Sequence, residues 1–314
     1  MSETIKTRAM GWLPDYPSFR DHTPQSDVLT PKLKALGQTQ SVNALLTSVG
    51  VATPPAKLPA SADLRPWCSP IEDQSTLGAC TAHAGVGMVE YYERRAFNRH
   101  IDASRLFLYK TTRNLLKWSG DTGGFLRTTM EALVLFGVPP EEYWPYVIDD
   151  YEKEPTAFCY AFAQGYHAIN YYRLDPPGIT TQLLLERIKT NLVAGLPSMF
   201  GFTVYTSYNQ SATSDKIPFP TAGETIVGGH AVMAVGFNDT MKIKNANAGA
   251  TETTGALLIR NSWGTTWGAA GYGWLPYEYV LKGLATDWWS LIKQEWVDTG
   301  NFGYQKKSTI VSRR

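Results

Sequence analysis

The chain has 314 residues, of which 43% are hydrophobic, and it carries a net charge of +1. That length and apolar content support one large two-lobed domain, or two smaller domains, around a buried core. The near-neutral charge lacks the basic excess that is typical of nucleic-acid and membrane-surface binding, so we expect neither kind of partner.

The amino terminus lacks the apolar stretch of a secretory signal, and no run reaches the ~20 apolar residues of a membrane-spanning helix. We therefore expect a cytoplasmic protein, or one exported without a classical signal peptide. Its three cysteines, Cys68, Cys80 and Cys159, are too few for a disulfide framework. Reduced thiols are favoured, with a Cys68–Cys159 pair as the alternative.

The composition changes along the chain and predicts three regions. Residues 1–57 are rich in Pro, Ser, Thr and Gln and end in a linker that contains Pro54 and Pro55. We expect a tail, a lid or an autoinhibitory propeptide there. We expect a helical lobe that carries the nucleophile over 58–165, and a sheet-rich lobe plus a C-terminal tail over 166–314.

The order of periodic segments predicts an α+β fold, with helices first and strands second. Apolar spacing and end signals predict helices over 80–95, 104–118, 126–135 and 180–194. Two glycines within the first of these helices, Gly85 and Gly87, suggest close packing of a buried helix. Runs rich in β-branched residues predict strands over 198–205, 230–237 and 255–260, with a loop over 238–254.

Cys80 is the candidate nucleophile, because it opens the first predicted helix after the loop that ends in Gly78 and Ala79. A helix amino terminus favours the thiolate, which is the reactive form of cysteine. His230, at the head of a predicted strand, is the candidate acid and base. Asn261 could orient its imidazole, and Gln74 could donate its amide to a developing oxyanion together with the Cys80 N–H.

These residues lie in blocks that resemble the papain-like cysteine peptidases, in family order. The blocks are the loop from Gln74 to Cys80, the strand Gly229-His230-Ala231-Val232, and the stretch from Arg260 through Trp263 and Trp267 to Gly273. Weaker similarities start near residue 58. The chain resembles a bacterial-type member without the long helical propeptide.

The resemblance implies a two-lobed fold, in which an active cleft separates a helical lobe from an antiparallel, β-barrel-like lobe. It also implies peptide-bond hydrolysis through a thioester on Cys80, without cofactor or metal, by a monomer that acts on protein or peptide substrates. The substrate-binding residues that it implies are Gly123, Gly124, Phe125, Leu126, Gly229, Trp263, Trp267 and Asp287. Of these, Asp287 would form an acidic floor of the pocket for the second residue before the scissile bond, and it could pair there with Lys or Arg.

The sequence departs from the family at two positions near the nucleophile. Thr81 stands where Trp usually follows the nucleophile, and Leu77 stands where many members have a disulfide cysteine. Two other functions compete with hydrolysis: a silent binding module that uses the cleft, and acyl transfer of the transglutaminase type. The second usually ends its triad in aspartate, so Asn261 favours hydrolysis.

Overall fold

A buried helix that begins at Cys80 forms the centre of the molecule. The computed structural model describes residues 9–29, 31–35, 37, 39–164 and 170–304. The predicted boundary between 165 and 166 lies outside the described residues. Helices are α1 (Pro31–Ala35), α2 (Val42–Ser48), α3 (Cys80–Phe97), α4 (Arg105–Leu116), α5 (Leu126–Phe136), α6 (Ala157–Ala163), α7 (Thr181–Val193), α8 (Ser211–Ser214), α9 (Glu278–Leu281) and α10 (Gln294–Asp298).

An antiparallel sheet forms the second half of the fold. Its strands are β1 (Ser61–Asp63), β2 (Asn170–Arg173), β3 (Ser198–Tyr205), β4 (Ile226–Ile243), β5 (Thr253–Arg260), β6 (Tyr272–Pro276) and β7 (Ala285–Ile292). The strand order is β2-β7-β3-β4-β5-β6, and β1 adds to β4. Helices α4 and α5 pack on one side of α3, and β4 packs on another, so α3 lies between the helices and the sheet. The α+β prediction is confirmed.

Sequence patterns located the long elements well and misjudged one loop. The predicted helices correspond to α3, α4, α5 and α7, with Ser104 and Thr180 as side-chain N-caps. The prediction of a loop over all of 238–254 was wrong, since β4 continues to Ile243 and β5 starts at Thr253. Pairing resumes at Lys242 opposite Thr254 after a register shift, and such an irregularity hides the strand pattern in the sequence.

The glycines of α3 allow the close packing that their positions predicted. A Cβ atom at Gly85 would lie 3.2 Å from side-chain carbons of Leu108 and Thr129. At Gly87 it would lie 2.5 Å from the Arg260 guanidinium. That guanidinium donates to Ser69 Oγ at 3.0 Å and so joins the strand before Asn261 to the loop before Gln74.

Part of the N-terminal extension belongs to the core. Helix α2 is capped by Ser41, and it packs against α10 and β2. Its apolar side chains are almost fully buried; they are Val42, Leu45 and Leu46, and Val49 follows them. Residues 42–49 are therefore packed like the rest of the domain, although they precede the predicted linker.

This burial predicts that Leu45→Ala destabilises the full chain by about 2–5 kcal/mol, the usual cost of truncating a buried leucine. Chemical denaturation followed by circular dichroism measures the difference. Thr47→Ala is the matched control, because Thr47 lies exposed on the same helix. Equal stability of the two variants would contradict a core role for α2.

Candidate active site

The Cys80 thiol lies at the amino end of α3, fully buried. Burial raises its pKa to about 11, although N–H groups of Ala231 and Gly11 lie at 3.4 and 3.3 Å from Sγ and favour the thiolate. The thiol is therefore neutral near pH 7 in this arrangement. Ala231 follows His230 on β4, so the strand that bears the histidine touches the sulfur directly.

His230 and Asn261 form a buried hydrogen-bonded pair. Nε2 of His230 lies 2.8 Å from Oδ1 of Asn261, so this ring nitrogen carries the proton when it donates to the amide oxygen. Within the described part of the chain, Nδ1 has no hydrogen-bond partner, which leaves it free to accept a proton. Burial lowers the pKa of His230 to about 4, and the Asn261 hydrogen bond opposes that shift.

Aromatic rings cover the pair. The Trp263 ring lies 4.8 Å from the His230 ring, measured between centroids, and both side chains are buried. Asn261 Nδ2 reaches the Tyr208 hydroxyl at 3.3 Å, and Tyr208 stacks on Trp267. The rings keep water from the His230–Asn261 hydrogen bond, and in a dry environment such a bond is stronger.

The side-chain amide of Gln74 accepts a hydrogen bond through its oxygen and donates two through its nitrogen. Its Oε1 accepts a hydrogen bond from Ser262 Oγ at 2.6 Å, which fixes the amide orientation. Its Nε2 donates to the carbonyl oxygens of Leu77 and Ala9, each at 3.0 Å. The Ala9 carbonyl oxygen therefore takes one of the two hydrogen bonds that the Gln74 amide nitrogen can donate.

Residues 9–13, which we call the cleft segment, run through the site. Besides the contacts of Ala9 and Gly11, Trp12 N–H donates to Gly229 O at 3.3 Å, and Leu13 N–H donates to Gly124 O at 3.2 Å. Gly124 N–H donates to Gly11 O at 2.8 Å. Backbone groups predicted to hold a substrate therefore hold the chain's own amino-terminal segment.

The crossing point next to the thiol admits only glycine. A Cβ atom on Gly11 would lie 1.8 Å from the carbonyl oxygen of Gly78. On the opposite side, a Cβ atom on Gly123 would lie 2.2 Å from the carbonyl oxygen of Gly11. Three backbones thus meet without side chains between them, as close approach requires.

The remaining predicted residues differ in what they contact. Asp287 is fully buried and accepts a hydrogen bond from Trp12 Nε1 at 3.1 Å, so it lies at the base of the pocket that this indole fills. Phe125 is half-buried and packs on Trp118, whereas Leu126 begins α5 and is fully buried in the core.

Sequence reasoning missed Trp12, Gly201, Arg173 and Tyr208. Arg173 contacts Asp287, and Gly201 lies against the Trp12 indole. One signal was available: Met10 to Leu13 is an apolar island in an otherwise polar segment. Gly201, Arg173 and Tyr208 have no local motif.

The described residues also bear on metal binding, membrane spanning and disulfide bonding. Over residues 9–304, apart from the undescribed gaps, no group of three or more metal-ligating side chains could hold an ion. Among the helices described, none is both long enough and apolar enough to cross a membrane. Cys68, Cys80 and Cys159 are all free thiols.

Comparisons with known proteins agree with this geometry. The model of the papain family cysteine proteases matches residues 58–287. An uncharacterized peptidase C1-like protein of Acanthamoeba polyphaga mimivirus is 35% identical over 69% of this chain and 68% of its own length. Cathepsin K of Gallus gallus is 26% identical over 69% of this chain, and the match covers 58% of the cathepsin sequence.

Among solved structures, xylellain, a cysteine protease from Xylella fastidiosa, is 29% identical with a TM-score of 0.69. The alignment covers 91% of this chain and 97% of xylellain. The family match covers most of the chain, including the blocks around Cys80, His230 and Asn261. The chain belongs to the papain family of cysteine proteases and has the two-lobed α+β fold of that family.

Proposed function

We propose that this protein hydrolyses peptide bonds through a thioester on Cys80, and that residues 9–13 block the cleft until they are displaced. The observation that carries the proposal is the position of the cleft segment, which contacts the thiol, the Gln74 amide, Gly124 and Gly229 at once. An extended chain that makes these contacts marks the path of a peptide substrate.

The chemistry follows from the positions of the side chains. With the cleft segment displaced, His230 Nδ1 takes the proton of Cys80, and the thiolate attacks the substrate carbonyl carbon. The Gln74 amide and the Cys80 N–H stabilise the oxyanion. His230 then protonates the leaving amine and next activates the water that hydrolyses the thioester, while Asn261 keeps the ring oriented.

The course of the cleft segment explains why it blocks the site and is not cut. Proceeding from Ala9 to Leu13, the chain passes from Gln74 to Gly124, and Trp12 bridges Gly124 in the parallel sense. A substrate with its acyl half along Gly124 would run the other way. Within the cleft segment, the Gly11 N–H donates to Sγ at 3.3 Å, so an amide N–H and not a carbonyl carbon faces the sulfur.

Ion pairs hold the chain that follows the cleft segment. Asp21, nearly buried, receives a bidentate pair of hydrogen bonds from Arg127 at 2.9 and 3.0 Å. Asp15 also pairs with Arg127, and its carbonyl oxygen accepts from Arg173 at 3.1 Å. Bidentate arginine–carboxylate pairs are among the stronger polar contacts in proteins.

The extension therefore has two parts with different roles in the proposal. Residues 9–21 occupy the cleft and its rim, whereas residues 42–49 pack in the core. Activation requires displacement of the first part and retention of the second. A truncation that starts at Lys57 would remove both parts, so point variants of the full chain give the cleaner test.

Gly11→Ala should open the site, because the added methyl group would lie 1.8 Å from Gly78 O and the cleft segment must shift. A clash of this kind costs about 1–3 kcal/mol, which corresponds to an increase of about 5- to 150-fold in the open fraction. Intact-mass measurement of Cys80 labelling by an epoxysuccinyl peptide reports that fraction.

The control is Gly37→Ala, which adds the same group to the same extension where no described atom lies within 4 Å. Its φ of 83° strains the alanine locally, so this variant also reports whether strain elsewhere in the extension opens the cleft. It should label at the rate of the unmodified chain, and Cys80→Ala should not label. Equal labelling of Gly11→Ala and the unmodified chain would contradict a blocked cleft.

The pH dependence of Cys80 reactivity should differ between the unmodified chain and Gly11→Ala. In the unmodified chain burial raises the pKa of Cys80 to about 11, so the thiolate forms only as the pH rises well above neutral. Opening the cleft hydrates the thiol and allows the imidazolium to pair with the thiolate, and both effects lower the pKa. We expect the iodoacetamide alkylation rate to increase with pH in both forms, but the pH at which it rises should be lower for Gly11→Ala than for the unmodified chain. Coincident profiles would refute this.

Asn261→Ala in the Gly11→Ala background should lower kcat/KM for a peptide substrate by about 10- to 100-fold, the value of one hydrogen bond to a charged group. Asn191→Ala is the control, since that amide is equally buried and hydrogen-bonded but lies on α7. Comparable losses in both variants would point to a general effect on folding.

A further inference from the structure

The pocket that Trp12 fills shows what kind of side chain the cleft accepts. Gly11 lies against Sγ, so Trp12, the next residue along the cleft, takes the place of the second residue before the scissile bond of a substrate. Trp12 as a whole is only 6% exposed. The pocket therefore encloses a side chain with two fused rings.

Gly201 on β3 makes the pocket deep enough for the Trp12 indole. A Cβ atom on Gly201 would lie 1.8 Å from Cε2 of Trp12, and one on Gly229 would lie 2.8 Å from Cε3. Gly201 pairs with Ala231 on β4 and lies opposite Thr286 on β7, in the middle of the sheet. Any other residue at 201 would fill the space that the indole occupies.

The base of the pocket is a hydrogen-bond acceptor that already pairs with a buried cation. Oδ2 of Asp287 accepts from Trp12 Nε1 at 3.1 Å, and Oδ1 accepts from Trp289 Nε1 at 2.7 Å. Arg173 lies 3.2 Å from Oδ1 and is almost fully buried. A lysine or arginine that entered this pocket would meet a carboxylate that already pairs with Arg173, a cation that Asp287 shares with Asp175.

Further hydrogen bonds hold this carboxylate in place. The backbone at Asp287 has a positive φ of 62°, which few side-chain-bearing residues adopt. Its N–H donates to the Asp175 carboxylate at 2.8 Å, and that carboxylate also forms an ion pair with Arg173 at 2.9 Å. These contacts lie outside the cleft segment, so the acceptor keeps its orientation when Trp12 leaves.

We propose that the enzyme selects substrates whose second residue before the scissile bond is an aromatic residue with a hydrogen-bond donor, tryptophan above all, because Gly201 makes room for the rings and Asp287 accepts the N–H. The inference rests on the proposed peptidase function and replaces the expectation that Asp287 selects Lys or Arg. Trp12 then acts as an internal copy of the preferred side chain.

The test uses the full chain with Trp12→Ala, which empties the pocket. Fluorogenic peptides that differ only at the second residue before the scissile bond carry Trp, Phe, Leu, Lys, Arg or Ala there. We expect kcat/KM for Trp to exceed that for Phe by about 10-fold or more, since a ring without an N–H leaves the buried acceptor without its donor. We expect Trp to exceed Lys and Arg as well, because a charged side chain must lose its water to enter the pocket. The comparison of Trp with Phe isolates the N–H donor.

Gly201→Ala added to Trp12→Ala should lower the ratio of kcat/KM for the Trp peptide to kcat/KM for the Ala peptide by about 10-fold or more, because the large ring meets the new methyl group. Gly37→Ala in the same background should leave that ratio unchanged. Epoxysuccinyl labelling gives the active fraction of each preparation, so a folding loss is separated from a change of selectivity.

Two results would overturn the inference in different ways. Normal labelling with a preference for Lys, Arg or Leu, or a Gly201→Ala variant that keeps its preference for Trp, would refute the aromatic selectivity and leave the peptidase function intact. No labelling of Cys80 and no hydrolysis of any peptide by folded Trp12→Ala would refute the proposed function itself.

Discussion

The buried guanidinium of Arg173 connects the parts of the molecule on which the candidate site depends. It reaches Asp287 at the base of the pocket, Asp175 beside it, and the backbone carbonyl of Asp15 in the N-terminal extension. Its plane also lies over the Trp289 ring, 5.1 Å from the centroid. A charge this deeply buried is stable only with such partners. The pocket floor and the attachment of the N-terminal extension therefore share one cation.

Burial also explains why Cys80 and His230 are both uncharged in this structure. With the cleft filled, burial raises the pKa of Cys80 and lowers that of His230, so both groups are neutral near pH 7. A thiolate–imidazolium pair would require two charges in a dry environment. In the proposed function, the cleft segment would thus act on the chemistry as well as on access, because a filled cleft disfavours the charged form of the pair.

Much of the fold was predictable, because its long elements carry local signals. Cys80 begins α3 where the sequence predicted a helix, and Ser104 and Thr180 cap the helices that they were expected to begin. The blocks that contain Gln74, His230 and Asn261 could be recognised from the order of their motifs alone, and the structure brings those side chains together. The catalytic roles of these residues stay a prediction.

The parts that escaped prediction depend on contacts between distant residues. Trp12 lies in a polar segment, and nothing in its neighbourhood shows that Gly201 and Asp287 would enclose it. The partnership of Arg173 with Asp287 likewise requires β2 and β7 to be adjacent, an arrangement set by the sheet order. Helix α2 is too short for a clear periodic pattern, and only its packing identifies it as part of the core.

The anchoring of α2 has a consequence for how inhibition would respond to concentration. Because residues 42–49 stay in the core, a displaced cleft segment remains tethered near its site, at an effective concentration on the order of millimolar for a flexible connection. A free peptide must outcompete that local concentration whatever the amount of enzyme present. A single cut between the cleft segment and α2 would convert this intramolecular competitor into a dissociable one, which dilution removes.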